Sequence, residues 1–155
     1  YQTFFKAIEP LGYETIVIAS EVAVKGLKIP KNVTILNNIS HAECRRYVQR
    51  ARISVVPIAN NQTASGQVTV IEAMKYGRPV IASKCIGTVD YVNHGVNGIL
   101  VEPSSAEELA EQIKNLWQNS DKRTKLSEAA KETADTCYSD KAAAESLKNI
   151  LRGFK

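Results

Sequence analysis

Short runs of apolar residues alternate along this chain with stretches in which apolar residues recur at helical spacing. The runs are rich in β-branched residues, which predicts buried strands at 15–19, 33–36, 53–57, 80–82 and 99–101. The amphipathic stretches predict helices at 1–8, 40–51, 103–118, 121–135 and 140–151, with a short one inside 22–27. Strands that alternate with helices indicate parallel βαβ units. The predicted fold is therefore a three-layer α/β/α, Rossmann-like domain with a doubly wound parallel sheet.

Residues 64–83, which read ASGQVTVIEAMKYGRPVIAS, are the most informative part of the pattern. Val70, Ile71 and Met74 fall on one face of a predicted helix of about three turns. Gly77 suits the end of that helix, and Pro79 prevents its continuation. The strand at 80–82 follows at once. Ligands of doubly wound sheets bind beyond the carboxyl ends of strands, which is where the loop at 57–66 enters the helix.

The other face of this helix carries a polar stripe at Ser65, Thr69 and Glu72. Ser65 and Gly66 suit its start, since a short hydroxyl can accept a hydrogen bond from the first free amides. A helix N-terminus favours anions. Glu72 lies six residues past Gly66, roughly 9 Å along the axis, where a carboxylate can accept hydrogen bonds from sugar hydroxyls while a phosphate occupies the tip. An ordinary amphipathic helix with a solvated glutamate is the alternative.

Composition limits the classes of protein to which this chain can belong. A chain of 155 residues with 44% apolar and 23% charged residues is typical of one globular domain, here residues 1–155. No run approaches the roughly 18 apolar residues of a membrane span. The three cysteines are widely spaced and odd in number, which argues against a disulfide framework and fits a reducing compartment. We therefore expect a cytoplasmic protein.

The net charge of +4 favours anionic partners, but a charge this small does not choose among nucleotide phosphates, lipid headgroups and nucleic acid. Arg45, Arg46, Arg50 and Arg52 predict a solvated helix face, because no aromatic platform for nucleic-acid bases accompanies them. We expect no nucleic-acid partner. The charge permits peripheral contact with a membrane. The chain contains no Ser–His–Asp set. It also contains no HExxH motif and no DxD-like run, so we expect no bound metal.

The run EAMKYGRPVIAS at 72–83 resembles the nucleotide-binding signature of retaining, GT-B type glycosyltransferases of family 4, the glycosyl transferases group 1. The resemblance continues through GTVDYV at 87–92 and HGVNGILV at 94–101. It covers about 40 ordered residues with glycines at the expected places, so it is far more specific than any single glycine motif.

This resemblance implies a C-terminal, donor-binding domain of a hexosyltransferase. Such an enzyme transfers a glycosyl group, with retention, from a nucleoside-diphosphate sugar (UDP- or GDP-linked) to an acceptor hydroxyl, as in polysaccharide or glycolipid biosynthesis, without a cofactor. It implies that Glu72 holds the ribose, and that the base lies against the backbone of Asn38 and Ile39. The diphosphate would lie on the amides of Ser65, Gly66, Gln67, Val68 and Thr69. No catalytic residue is assigned.

One departure from the family signature concerns the transferred sugar. The signature has two glutamates eight positions apart; the second matches Glu72, and the first falls on Ala64. A non-catalytic nucleotide-binding Rossmann module that has lost this glutamate is therefore the alternative. A phospho-acceptor receiver domain is a third reading, although it requires more acidic residues at strand ends than residues 19–21 supply. The N-terminal acceptor domain and a basic phosphate-binding element are not in this sequence, so we expect the isolated chain to be inactive.

Overall fold

A computed structural model describes residues 1–62 and 64–153, and Thr63 of the predicted entry loop lies outside them. The strands are β1 (Thr15–Ile18), β2 (Val33–Leu36), β3 (Ser54–Val56), β4 (Val80–Ser83) and β5 (Ile99–Val101). The helices are α1 (Gln2–Ile8), α2 (Glu21–Val24), α3 (His41–Arg50), α4 (Gln67–Lys75), α5 (Ala106–Gln118), α6 (Ser120–Cys137) and α7 (Asp140–Gly153), and a 3-10 turn follows α1 at Glu9–Leu11. Each predicted strand and helix is present, with ends shifted by no more than three residues.

All strand pairing between these elements is parallel, which confirms the predicted α/β class. The strands form two hydrogen-bonded ladders, β1–β2 and β3–β4–β5, because β1 and β3 do not pair with each other in the described part of the chain. The registers place Val17 beside Ile35 in one ladder and Ile81 beside Ile99 in the other. Among the described residues, the predicted parallel sheet is therefore present as two ladders.

Helices cover two faces of these strands, which gives the three layers. The first face is covered mainly by α1 and α5 and buries, among others, Phe5, Val17, Val24, Ile81 and Ile113. Because strand side chains alternate in direction, successive residues of β4 serve different faces. The four residues of β4 are all buried, as a parallel strand between two helical layers requires.

The second face is covered by α4 and α6. Its buried residues include Val56, Val70, Met74, Val80 and Ala130. Met74 has no accessible surface, and the side chains of α4 fill the space between β4 and α6. This packing fixes the position of α4 and therefore of its amino end.

The prediction of a buried strand at 15–19 is wrong for one side of β1. Ile16 is 48% and Ile18 is 38% exposed, while Val17 between them is buried. The physical reason is that β1 lies at the edge of a two-stranded ladder and that none of the described helices covers its second face. The amphipathic helix α3 likewise buries none of its residues.

Local sequence signals set several helix ends. Ser40 and Glu43 form the predicted capping box: the Ser40 hydroxyl accepts from the Glu43 amide at 3.2 Å, and the Glu43 carboxylate accepts from the Ser40 amide at 2.9 Å. Ser105 caps α5 through the Glu108 amide, whereas Ser104 adopts a left-handed backbone conformation. None of the helices among the described residues is long and apolar enough to cross a membrane.

Candidate functional site

The amino end of α4 is an uncapped helix terminus. Gly66 is the N-cap residue, with φ +89°, and no described side chain accepts a hydrogen bond from the first turn. The expectation that the Ser65 hydroxyl caps this helix is therefore wrong: Ser65 lies before the cap, and the left-handed conformation of Gly66 turns the chain instead. The first four amides of a helix have no intrahelical partner, so those of Gln67, Val68 and Thr69 are available to a ligand.

Gly66 is required here by space as well as by conformation. A Cβ atom at this position would lie 2.8 Å from Cδ1 of Ile58 and 3.1 Å from Cγ1 of Val56. A positive φ adds a steric cost for any L side chain. The entry to α4 therefore packs closely on the end of β3, which delivers the chain to the site.

Gly87 packs against the backbone at the entry to α4. A Cβ atom on Gly87 would lie 2.3 Å from the carbonyl oxygen of Ser65, 2.5 Å from its nitrogen and 3.0 Å from the carbonyl carbon of Ala64. The backbone of the 64–66 segment thus rests directly on the backbone of Gly87. The family resemblance includes this glycine, but only the structure shows that it contacts the α4 entry.

Buried hydroxyls fix the turn that carries Gly87. The Thr88 hydroxyl donates to the carbonyl of Ser83 at 2.5 Å and accepts from the Cys85 amide at 3.1 Å. The Ser83 hydroxyl accepts from the Ile58 amide at 2.9 Å, which joins the end of β4 to the loop after β3. The sequence pattern assigns no role to Thr88 or Cys85. The bond between Ser83 and Ile58 could not be predicted from a local pattern, because it joins segments that are distant in the sequence.

Glu72 lies on α4 six residues beyond the N-cap, as predicted, and its side chain is half-buried. Its carboxylate makes no hydrogen bond and no ion pair within the described residues. Thr69, on the same side of the helix, is exposed. The structure therefore holds an acid beside the open helix terminus, and its acceptor oxygens are not used by the described part of the protein.

Asn38 and Ile39 follow β2 and so come from the other ladder. Asn38 is exposed and has φ +51°, a left-handed conformation that asparagine tolerates in turns. Ile39 is half-buried. No hydrogen bond joins either residue to the α4 entry in the described part of the chain, so the structure does not bring these two residues into direct contact with Glu72.

Other polar residues near strand ends have structural roles. The His94 ring nitrogen Nδ1 lies 3.1 Å from the amide of Leu100, and Lys84 forms an exposed ion pair with Glu102 at 3.3 Å. The Arg52 guanidinium lies 4.3 Å above the Trp117 ring and donates to the Trp117 carbonyl. Arg52 is exposed, as predicted, but it lies after the end of α3 and against Trp117, so its predicted place on a solvated helix face is wrong. Two surface depressions, beside the α5–α6 junction and beside Gly77, do not include the α4 entry.

Comparison with known proteins places this geometry in a family. The family model "Glycosyl transferases group 1" matches residues 19–133. An uncharacterised glycosyltransferase of Methanocaldococcus jannaschii is 32% identical over 111 residues, 66% of this chain and 31% of that protein. The alpha-D-kanosaminyltransferase of Streptomyces kanamyceticus is 25% identical over 131 residues, 84% of this chain and 33% of that protein. The chain thus spans about a third of the length of these relatives.

Solved structures share the fold. HepE of Anabaena, solved with UDP-glucose, superposes with a TM-score of 0.80 at 20% identity, over 97% of this chain and 44% of HepE. The C-terminal domain of the group 1 glycosyltransferase LpcC of Francisella tularensis superposes with a TM-score of 0.74 at 22% identity, over 90% of this chain and 79% of that domain. The likeness confirms the Rossmann-like fold of GT-B glycosyltransferases. Since the family model covers most of the described residues, the α4 site included, the chain belongs to the glycosyl transferases group 1 family.

Proposed function

We propose that this chain binds the nucleoside-diphosphate sugar of a retaining glycosyltransferase. The observation that carries the proposal is the uncapped N-terminus of α4 with the carboxylate of Glu72, unpartnered among the described residues, on the same helix. The amides of Gln67, Val68 and Thr69, together with Ser65 and Gly66, bind the diphosphate. Glu72 accepts hydrogen bonds from the ribose hydroxyls.

Two kinds of relatives support a nucleotide sugar as the ligand. HepE of Anabaena has been solved with UDP, with UDP and glucose, and with UDP-glucose. The curated relatives include sucrose synthases, one of them 29% identical over 119 residues. On this basis the donor is a UDP- or GDP-linked hexose, and the product is a glycoside of an acceptor hydroxyl, in polysaccharide or glycolipid biosynthesis. The reaction takes place in the cytoplasm, with peripheral contact with the membrane where the acceptor is a lipid.

The chemistry assigned to this half of the enzyme is stabilisation of the leaving diphosphate. As the bond between the sugar and the diphosphate breaks, negative charge grows on the phosphate oxygens. Amides fixed at a helix terminus stabilise that charge without reorganising, because the packing of Gly66 and Gly87 already holds them in place. The base is placed against the backbone of Asn38 and Ile39. The acceptor belongs to the rest of the polypeptide, so residues 1–155 bind the nucleotide without turning it over.

Replacement of Glu72 tests the proposal. Glu72→Ala removes the proposed charge-assisted hydrogen bonds to the ribose, so we expect the Kd for UDP or GDP, whichever binds the wild-type chain, to rise at least tenfold. Isothermal titration calorimetry measures this directly. Glu128→Ala is the matched control, since Glu128 is an exposed glutamate on α6 away from the site, and we expect its Kd to be unchanged. Equal affinities of the two variants would remove Glu72 from the site.

A non-catalytic nucleotide-binding module is the second candidate, and Ala64 is the observation that favours it. Ala64 is exposed beside the α4 entry and offers no carboxylate to a donor sugar. The two functions differ in turnover of the longer polypeptide. Release of UDP or GDP from a nucleotide sugar, measured with a coupled assay, would support the enzyme. Nucleotide binding at Glu72 without any release would support the module.

A further inference from the structure

Ser83, the last residue of β4, bonds through both its hydroxyl and its carbonyl to segments outside the sheet. The hydroxyl accepts a hydrogen bond from the Ile58 amide at 2.9 Å, and the carbonyl accepts one from the Thr88 hydroxyl at 2.5 Å. Ser83 is 5% exposed and Thr88 has no accessible surface. When one partner of such a buried bond is removed, water does not readily replace it, so the remaining partner loses its hydrogen bond.

The bond to Ile58 replaces a regular contact between β3 and β4. The Ser54 amide donates to the Pro79 carbonyl at 2.9 Å. Amides of a parallel strand that bond to the same neighbour recur every two residues, so this register makes the Ser83 carbonyl the regular acceptor for the Ile58 amide. The Ser83 hydroxyl takes that place in the structure, and the carbonyl bonds to Thr88. The side chain of Ser83 therefore links β4 to the chain that leaves β3.

Ile58 connects this bond to the entry of α4. A Cβ atom on Gly66, the N-cap residue of α4, would lie 2.8 Å from Cδ1 of Ile58. The Ile58 side chain thus fills the space beside Gly66. A displacement of Ile58 would open this space and change the direction of the first amides of α4.

Thr88 connects the second bond of Ser83 to the same entry. Gly87, the residue before Thr88, lies so close to the Ser65 backbone that a Cβ atom on it would be 2.3 Å from the Ser65 carbonyl oxygen. The Thr88 hydroxyl also accepts from the Cys85 amide, which fixes the turn that carries Gly87. Both segments that pack against the backbone of residues 65–66 are therefore bonded to Ser83.

Other bonds that hold the loop at 57–62 belong to exposed residues. The Ser104 hydroxyl donates to the Ala59 carbonyl at 3.2 Å, and the Ile86 amide donates to the Asn61 carbonyl at 3.1 Å. Ser104 and Ile86 are exposed, so water can replace these bonds at a small cost. Loss of the Ser83 hydroxyl should therefore affect the loop more than loss of the Ser104 hydroxyl.

We propose that Ser83 is a positioning residue of the donor site. Its bonds to Ile58 and Thr88 hold the entry of α4 so that the first amides of the helix converge on the diphosphate. Ser83 acts through these two segments and not by contact with the ligand. The inference rests on the proposed function for the identity of the ligand, whereas the effect of Ser83 on the α4 amides can be measured without a ligand.

The variant Ser83→Ala tests the role of the hydroxyl. It leaves the Ile58 amide without its acceptor, and we expect the Kd for UDP or GDP, whichever binds the wild-type chain, to rise about tenfold, because small displacements of binding groups strongly reduce affinity. Isothermal titration calorimetry measures this change. Ser104→Ala is the matched control, since it removes a serine hydroxyl from an exposed bond to the same loop. We expect its Kd to be unchanged, and equal affinities of the two variants would overturn the proposal.

Amide NMR spectra separate positioning from a general loss of stability. We expect the amide shifts of Gly66, Gln67 and Val68 to move in Ser83→Ala without any ligand. Ile113→Val shortens a buried side chain on the first face, so it should lower Tm but leave these shifts and the Kd unchanged. Unmoved shifts in Ser83→Ala would overturn the proposal. Moved shifts in a chain whose wild type binds no nucleotide would support the positioning role and reject the proposed function.

Thr88→Val is the second variant, and it keeps the proposal testable if Ser83→Ala does not fold. Valine is close to threonine in shape but cannot donate to the Ser83 carbonyl. We expect the amide shifts of Gly66 and Gly87 to move and the Kd to rise. A folded Thr88→Val chain with wild-type shifts and wild-type Kd would overturn the proposal.

Discussion

Gly87 lies directly against the backbone at the entry to α4. Its ideal Cβ position lies within 2.5 Å of two backbone atoms of Ser65, and backbone atoms cannot move aside as the end of a flexible side chain can. The buried hydroxyl of Thr88 holds the same turn from within. The geometry of the site therefore depends on the lack of a side chain at Gly87 as well as on Glu72.

Replacement of Gly87 by alanine should displace the Ser65 backbone and misalign the amides of α4. We expect the Kd for the bound nucleotide to rise at least tenfold while the circular dichroism spectrum retains its helical signal. Gly153→Ala is the control, because a Cβ atom at that position would meet no described atom within 4 Å. Wild-type affinity in Gly87→Ala would show that the Gly87 contact does not set the geometry of the site.

The best-defined local element is the start of α3. Hydrogen bonds from the Ser40 hydroxyl and the Ser40 amide lower the pKa of the Glu43 carboxyl below its ordinary value. A depressed carboxyl pKa stabilises the fold above the ordinary carboxyl pKa, and this stabilisation is lost as the pH falls through the folded-state pKa. The capping box is thus strongest at neutral pH.

Ser40→Ala removes the hydroxyl from this box. We expect the free energy of unfolding at pH 7 to fall by about 1 kcal/mol, the typical value for a lost N-cap. Urea unfolding at pH 7 and at pH 3 measures the effect. The difference from the wild type should narrow at pH 3, because protonation of Glu43 weakens the hydrogen bond that the Ser40 hydroxyl donates to it in the wild type, and the variant lacks this bond at either pH. Ser120→Ala is a suitable control, since Asn119 rather than Ser120 caps α6. A difference that widens at pH 3 would contradict this assignment.

The whole molecule is held together by helices on both faces of the strands, with Met74 fully buried on the second face. α4 has two roles in this arrangement. Its apolar side packs between β4 and α6, and its amino end forms the site. Damage to the core beside α4 should therefore affect both stability and binding.

Met74→Ala should lower the free energy of unfolding by about 2 to 5 kcal/mol, the range typical of a large buried side chain cut to alanine. Denaturant unfolding with a constant m value measures it. Leu147→Ala on α7 is the matched control, because Leu147 is 57% exposed, and we expect a change of less than about 0.5 kcal/mol. Equal effects would mean that α4 is not anchored through Met74.

Much of this structure was predictable because its signals are local. Ser40 and Glu43 lie three residues apart and cap α3 with no help from the rest of the chain. Gly77 ends α4 at the expected place with φ +60°. Ser65, in contrast, was wrongly predicted to cap α4, because the crowding of Gly66 against Ile58 fixes that turn instead. The contact of Gly87 with Ser65 joins two segments that are distant in the sequence, and no local pattern reveals it.

The sequence by itself determined the order and type of the elements, the parallel α/β class and the family. These features follow from the hydrophobic periodicity, the capping residues and an ordered motif, all of which involve residues close together in the sequence. Only the tertiary structure decided that the strands form two ladders, that Ile16 and Ile18 remain exposed, and that the entry to α4 rests on Gly87. These features depend on which strand edges meet and how closely two backbones approach. Such distances arise from packing the whole chain, so they cannot be read from any one stretch of it.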